Sequence, residues 1–215
     1  MYRKSLFLLI APIIMLAALS EAEARSGFYL GVGAAYNTIQ GDFDGNAALQ
    51  GATDIIILPD SDNAFGIDIL AGYGFTDNWA VELSFISSRH SGTWQGANGD
   101  VSYSSFSINT KYSFESSNEV RPYLLFGISS NVLLINEGSI DAFTGEVGDA
   151  TLSGSGINIG AGIDTYVTPN VSLTLGTLYR YVNYTRAEGV HESGSITDGV
   201  DGSGFSFLLI TSYHF

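Results

Sequence analysis

Between residues 27 and 215 the chain alternates bulky apolar side chains with small or polar ones, in eight separate stretches. A period of two is that of a β-strand, whose successive side chains point to opposite faces; a helix needs a 3.6 repeat. The stretches are residues 27–36, 64–75, 79–86, 101–114, 122–130, 155–167, 171–182 and 204–215. In the second of them, Phe65, Ile67, Ile69, Ala71, Tyr73 and Phe75 alternate with Gly66, Asp68, Leu70, Gly72 and Gly74. None of the eight apolar faces carries a charge. The chain is therefore expected to be all-β.

Two arrangements place the apolar face differently. A soluble barrel or sandwich turns it inward, whereas a membrane barrel turns it to lipid. An eight-stranded barrel has an interior just wide enough for side chains to fill. So many Phe, Tyr, Ile and Leu do not fit there, while the opposite Gly-, Ser- and Ala-rich face does. Volume thus assigns the bulky face outward, and the outside must be hydrocarbon. At membrane depth every amide needs a strand partner, so the sheet must close, the first strand pairing with the eighth. Aromatic residues fall into two groups along the strands: Tyr73, Phe75, Trp79, Tyr112, Phe114, Tyr213 and Phe215 near one end, Tyr36, Phe65, Phe106, Tyr179, Tyr181 and Phe205 near the other. Two such girdles are expected of a transmembrane barrel.

The connections sort by length. Residues 76–78 and 168–170 are compact turns, and 115–121 is short; 37–63, 87–100, 131–154 and 183–203 are long. Short periplasmic turns and long extracellular loops follow this rule. Upstream, Arg3 and Lys4, an apolar run from Leu6 to Leu19 broken by Pro12, and Ala22-Glu23-Ala24 have the build of a cleaved secretory leader, residues 1–24. That run is shorter than the roughly 20 residues a spanning helix needs. Residues 25–215 are then one exported barrel domain. Eight Lys and Arg against 22 Asp and Glu, a net charge of −14, make a poor ligand for nucleic acid. The absence of cysteine excludes disulfides and thiolate metal sites.

With its leader, eight alternating strands, Arg121-Pro122-Tyr123 opening the fifth, and the ending Ser212-Tyr213-His214-Phe215, the chain resembles the small outer-membrane barrels: the OmpA-type barrel domain, OmpX, OmpW and the opacity-protein group. The resemblance covers the whole mature chain. It implies an eight-stranded antiparallel up-and-down barrel in the outer membrane, surrounded by lipid and lipopolysaccharide and monomeric. It also implies that Tyr213 and Phe215, with Phe207, Leu209 and Thr211 before them, are read by the outer-membrane assembly machinery. No wall-tethering domain is expected after residue 215.

The candidate functional residues lie in the lumen and the outer loops. Asp68, Glu82, Lys111, Asp164 and Arg180 fall on the inner face, where buried charges are expected to be paired: Glu82 with Lys111, and Asp68 or Asp164 with Arg180. Such a network either plugs the lumen or gates it. Two apolar runs in the outer loops, Ile55-Ile56-Ile57-Leu58 and Val132-Leu133-Leu134-Ile135, are expected either to extend the strands and pair with each other or to line a hydrophobic entrance that Trp94 caps. The acidic outer loops read as solvated surface, with cation bridging to lipopolysaccharide as the other option; no metal site or cofactor is assigned. Some outer-membrane barrels are lipid A deacylases or acyltransferases, but His90, His191 and His214 do not fall in the deacylase motif, so no catalytic residue is assigned, and a lipid A-modifying enzyme is the least favoured reading. The function expected is structural or small-solute transport, hydrophobic solutes included; the alternative is an adhesin acting through the acidic loops.

Overall fold

The computed structural model describes residues 26–43, 45–48, 54–94, 97–114 and 120–215. Twelve strands are present among them, and eight form the barrel wall: β1 (Gly27–Asn37), β5 (Ala64–Gly74), β6 (Trp79–Trp94), β7 (Ala97–Ser113), β8 (Val120–Asp141), β9 (Val147–Thr168), β10 (Val171–Glu188) and β12 (Gly204–His214). Each pairs antiparallel with the next, and β1 closes the ring on β12 from Tyr29↔His214 to Asn37↔Ser206. The expected up-and-down barrel of eight strands is the observed fold. The leader, residues 1–24, lies outside the described residues.

Sequence chemistry sets the turns at the short end. In the β5–β6 turn, the Thr76 hydroxyl accepts from the amides of Asn78 (3.3 Å) and Trp79 (3.1 Å). The Asn78 amide donates to the Ser113 carbonyl across to β7, at 2.8 Å. In the β9–β10 turn, Thr168 accepts from the Val171 amide at 3.0 Å, and Asn170 donates to the His214 carbonyl at 2.9 Å. These are side-chain substitutes for backbone turn bonds.

Along this half of the cylinder the faces are as expected. Phe65 is 77 % exposed and Ile128 60 %, with Ile67, Ile69, Leu124, Phe126, Leu175, Phe207 and Leu209 around the same belt. A continuous apolar surface of this extent is not tolerated against water. The girdles pack ring on ring: Trp79 on Tyr112 at 4.8 Å and Tyr213 on Phe215 at 5.0 Å below, Tyr36 on Phe65 and Tyr179 on Phe205 at 4.9 Å above. Glycines on the inner face make room for the few large residues there. A side chain at Gly72 would collide with the Tyr29 ring, which lies across it.

Five wall strands, β6 to β10, run well past the membrane. A barrel strand crosses in about 9–11 residues, yet β8 and β9 have 22 each, β10 has 18, β7 has 17 and β6 has 16. The long loops are thus largely sheet. Beyond the pair Val101↔Ile135 the free edge of β8 passes to a hairpin from the first loop, β2 (Gly45–Ala48) and β3 (Asp54–Leu58): Asp54↔Asp141, Ile55↔Ile140, Ile56↔Ser139. On the other side β11 (Ser193–Asp201) pairs with the top of β10. Asp42 bridges back to it, its amide donating to the Asp201 carbonyl at 3.0 Å and its carboxylate accepting from the Asp201 amide at 2.9 Å. The two-residue β4 (Asp60–Ser61) pairs with β6.

In this upper storey the patterning inverts. Ile56, Leu58, Leu133, Ile135, Ala150, Leu152, Val182, Tyr184, Ile196 and Val200 point inward and are buried. Asp149, Asn183, Thr185, Ser195 and Thr197 face out. Water outside demands an apolar inside, so the change of face marks where lipid ends. The lower storey is built as a membrane barrel, and the upper one as a water-exposed extension whose inward apolar residues continue the cluster of the barrel interior.

Candidate functional site

The lower lumen holds a charged cluster centred on Lys111 of β7. Its Nζ lies 2.8 Å from Asp164 Oδ2 on β9 and 3.3 Å from Glu82 Oε1 on β6, and sits 4.2 Å from the centroid of the Tyr123 ring. The carboxylates are tied further: Tyr29 Oη donates to Glu82 Oε1 at 2.7 Å, and Thr174 Oγ1 to Asp164 Oδ1 at 2.7 Å. Asp68 is buried nearby and accepts from Ser84 Oγ at 2.8 Å. The space left among these side chains is about 30 Å³, with a second void of the same size at the periplasmic mouth. Voids of that size hold about one or two waters and no solute. Below them, the His214 imidazole stacks on Tyr29 at 4.9 Å and meets Ser172 Oγ at 2.9 Å.

Above Lys111 a spine of polar side chains climbs the wall. Tyr103 Oη donates to Asn131 Oδ1 (2.8 Å), Asn131 Nδ2 to Ser129 Oγ (3.0 Å), Ser129 Oγ to Asn158 Oδ1 (3.2 Å) and Asn158 Nδ2 to Asn109 Oδ1 (3.1 Å). All four bonds point down the barrel, an arrangement in which each polarises the next.

Arg180 stands apart from this cluster. The expected partner Asp164 is taken by Lys111 and Thr174, and Asp68 by Ser84. Among the described residues no carboxylate lies within 4.0 Å of Arg180. Counting heights from the turns ignores the stagger of a barrel. Followed one way round the ring, the pairing rows lead from Asp68 through Gly33 and Ile210 to Thr174; followed the other way, through Ile86, Ser105, Asn131 and Gly154, they lead to Tyr184, so Asp68 sits between those two levels, while Asp164 is paired directly with Thr174. Arg180 is six residues further along β10, roughly 20 Å at strand rise. There its Nη2 donates to the Thr38 carbonyl at 3.2 Å and its guanidinium covers the Tyr103 ring at 4.5 Å.

The two apolar runs do not pair with each other. Ile55–Leu58 forms β3 and meets β8 higher up, at residues 139–141; Val132–Ile135 pairs with β7 and β9. Ile56, Leu58, Leu133 and Ile135 are packed inside the core, Ile57 is buried on the other face of β3, and Ile55, Val132 and Leu134 face outward. In place of an open apolar mouth there is a filled one. Trp94 ends β6, and its side chain lies outside the described residues. Asp54 locks the lid: its Oδ2 accepts from the amides of His191 (2.9 Å) and Glu192 (3.1 Å) in the fourth loop. Sequence patterning missed this role because Asp54 reads as one more acidic loop residue. Its place before an apolar run was the only available sign. Among the described residues no group of His, Asp and Glu is arranged to hold a metal ion.

His90 sits one residue past Arg89, the first charged side chain on the outer face of β6, and hence above the membrane. Its Nδ1 donates to the Asp62 carbonyl at 2.8 Å, which leaves Nε2 to accept from Ser88 Oγ at 2.8 Å. Burial lowers its pKa below the ordinary 6.5, opposed by the Asp62 bond and assisted by the Arg180 charge. The unfolded chain therefore binds this proton more readily. The contribution of His90 to stability is complete above pH 6.5 and is lost as pH falls below it. Hydrogen-exchange protection at the top of β6, taken relative to the intrinsic rate at each pH, is expected to fall between pH 7 and pH 5, and His90→Asn to flatten that dependence.

Comparison with known proteins agrees with this architecture. Residues 6–215 match the family model of the outer membrane protein beta-barrel domain. A 22 kDa outer membrane protein of Rhizobium leguminosarum bv. viciae is 26 % identical over 196 residues, 86 % of this chain and 76 % of that one. Among solved structures, OprG of Pseudomonas aeruginosa superposes with a TM-score of 0.61 at 14 % identity, covering 91 % of this chain and 99 % of that one. Neisserial surface protein A gives 0.57 at 20 % identity, covering 88 % and 98 %. The attachment invasion locus protein Ail of Yersinia pestis, solved with a heparin analogue, gives 0.52 at 17 % identity, covering 88 % and 99 %. These likenesses are of fold. A ring of eight strands with a lipid-facing exterior, and a family match spanning nearly the whole chain, lead to one statement: the chain belongs to the outer-membrane β-barrel protein family.

Proposed function

We propose that the protein is a closed, non-conducting outer-membrane barrel whose work is structural and whose active surface is the rigid platform above the membrane. The observation that carries this reading is the filled mouth: Ile56 and Leu133 are fully buried where a solute path would begin, and Lys111 with its two carboxylates fills the bore beneath. Residues 1–24 serve as a cleaved leader, Tyr213 and Phe215 as the assembly signal, lipopolysaccharide surrounds the outer half, and the barrel works as a monomer without cofactor or catalytic residue.

Reconstituted into planar bilayers, the protein is expected to give no current steps, and its liposomes are expected not to swell in sugars or small apolar solutes. Regular conductance steps, or solute entry above that of empty vesicles, would return the assignment to transport.

A second reading, surface interaction, has one specific observation in its favour. The β8–β9 hairpin joins two strands of 22 residues each and presents Phe143, 85 % exposed, on a turn held by three bonds to Asp141 Oδ1 at 2.7–3.0 Å. A rigidly displayed aromatic is a contact residue in search of a partner. Ail, similar in fold, is named for attachment. Deleting residues 142–146 and comparing binding to host-cell surfaces and matrix separates this reading from a purely structural one.

A further inference from the structure

We propose that Arg180 is the centre of an internal binding site for a single halide-sized monovalent anion, enclosed between the membrane storey and the upper core. Arg180 is 2 % exposed, carries a fixed positive charge, and has no carboxylate within 4.0 Å among the described residues. Among the described residues only Nη2 is engaged by an acceptor, and Nε and Nη1 are buried with none. A buried charge is retained when it is paired, and losing that pairing is strongly unfavourable.

Other unengaged donors share this part of the barrel. Asn37 is fully buried, its Oδ1 accepts from Ser206 Oγ, and its Nδ2 is left over. Asn37 precedes Thr38, whose carbonyl Arg180 holds. Tyr184 is fully buried on the same face of β10, within electrostatic reach of both Arg180 and Tyr103, and its hydroxyl has no partner. Ser105, buried two residues below Tyr103 on the same face of β7, has a free hydroxyl. A guanidinium edge, an amide NH₂ and two hydroxyls are anion donors.

The charge available fixes the class of ligand. Lys111 is held by Glu82 and Asp164 lower down, and Arg89 and Arg186 point outward, leaving one positive charge for this level. A phosphate or sulfate would remain uncompensated. The Tyr103 ring and the inward side chains of Leu178 and Val182, on either side of Arg180 along β10, suit a weakly hydrated ion such as chloride or bromide.

The test uses the mature chain refolded in detergent. Crystals grown in sodium bromide are expected to show one anomalous peak within hydrogen-bonding distance of Arg180 Nε or Nη1; ordered water alone at that place overturns the proposal. In solution, the unfolding midpoint is expected to be higher in sodium bromide than in sodium gluconate at equal ionic strength. The difference should be lost in Arg180→Gln and kept in Arg89→Gln, whose side chain is exposed. Equal midpoints in the two salts for the unsubstituted protein, or a difference that survives Arg180→Gln, overturn it as well. If Arg180→Gln does not fold, the bromide crystal decides.

Discussion

Replacing Lys111 by methionine is expected to destabilise the barrel by about 3–5 kcal/mol, the range for breaking a buried ion pair from one side. The substitution keeps the length and apolar stem of the side chain. It strands Glu82 and Asp164, both at most 6 % exposed, without their cation. Tyr29 and Thr174 still donate to them, so the carboxylates stay in place and the loss is electrostatic. Urea unfolding in liposomes, followed by the gel shift between folded and unfolded barrel, measures it. The triple variant Lys111→Met, Glu82→Gln, Asp164→Asn is expected to recover most of the loss, because no uncompensated charge remains. If Lys111→Met alone unfolds at the unsubstituted urea concentration, the cluster is wet and open, and the lumen is not plugged.

The second large effect separates two adjacent residues. Leu133→Ala is expected to cost about 2–5 kcal/mol, since it removes a fully buried side chain from a packed core and leaves a cavity. Leu134→Ala, one position along the same strand and facing out, is expected to cost less than about 1 kcal/mol by the usual tolerance of exposed positions. Hydrogen exchange should place the Leu133 loss in β2, β3 and the tops of β8 to β10, with the membrane storey unaffected. Comparable small effects at both positions would mean that the mouth is unpacked and available to solutes.

The membrane storey was legible because lipid and a narrow lumen impose opposite requirements on alternate residues, and eight stretches met both. The ring, the direction of Phe65 and Ile69, and the girdles all follow from that. Residues 79–86 and 122–130 were read too short, since β6 continues to Trp94 and β8 to Asp141. Above the bilayer alternation persists with its faces exchanged. Along β8 the outward apolar face skips Ser130 and resumes at Val132 and Leu134 while Leu133 and Ile135 turn inward, so both faces are apolar there and alternation no longer tells them apart. The lumen charges were identifiable by parity, but their pairing depended on the stagger between strands, which parity does not contain. Hence Lys111 with Glu82 was foreseen, and the isolation of Arg180 was not. The role of Asp54 depends on contacts between the first and fourth loops, more than 130 residues apart in the chain.

The way β3 is held has a consequence for biogenesis. Its partner stretch on β8, residues 139–141, is synthesised long after it, and Thr38 and Asp42 wait for residues 201–205 at the far end of the chain. The first loop therefore emerges with nowhere to dock. Its pairing with β8 and its bonds to residues 201–205 join segments far apart in the chain, so its docking is expected to be among the last contacts to form. Contacts of such sequence separation form slowly.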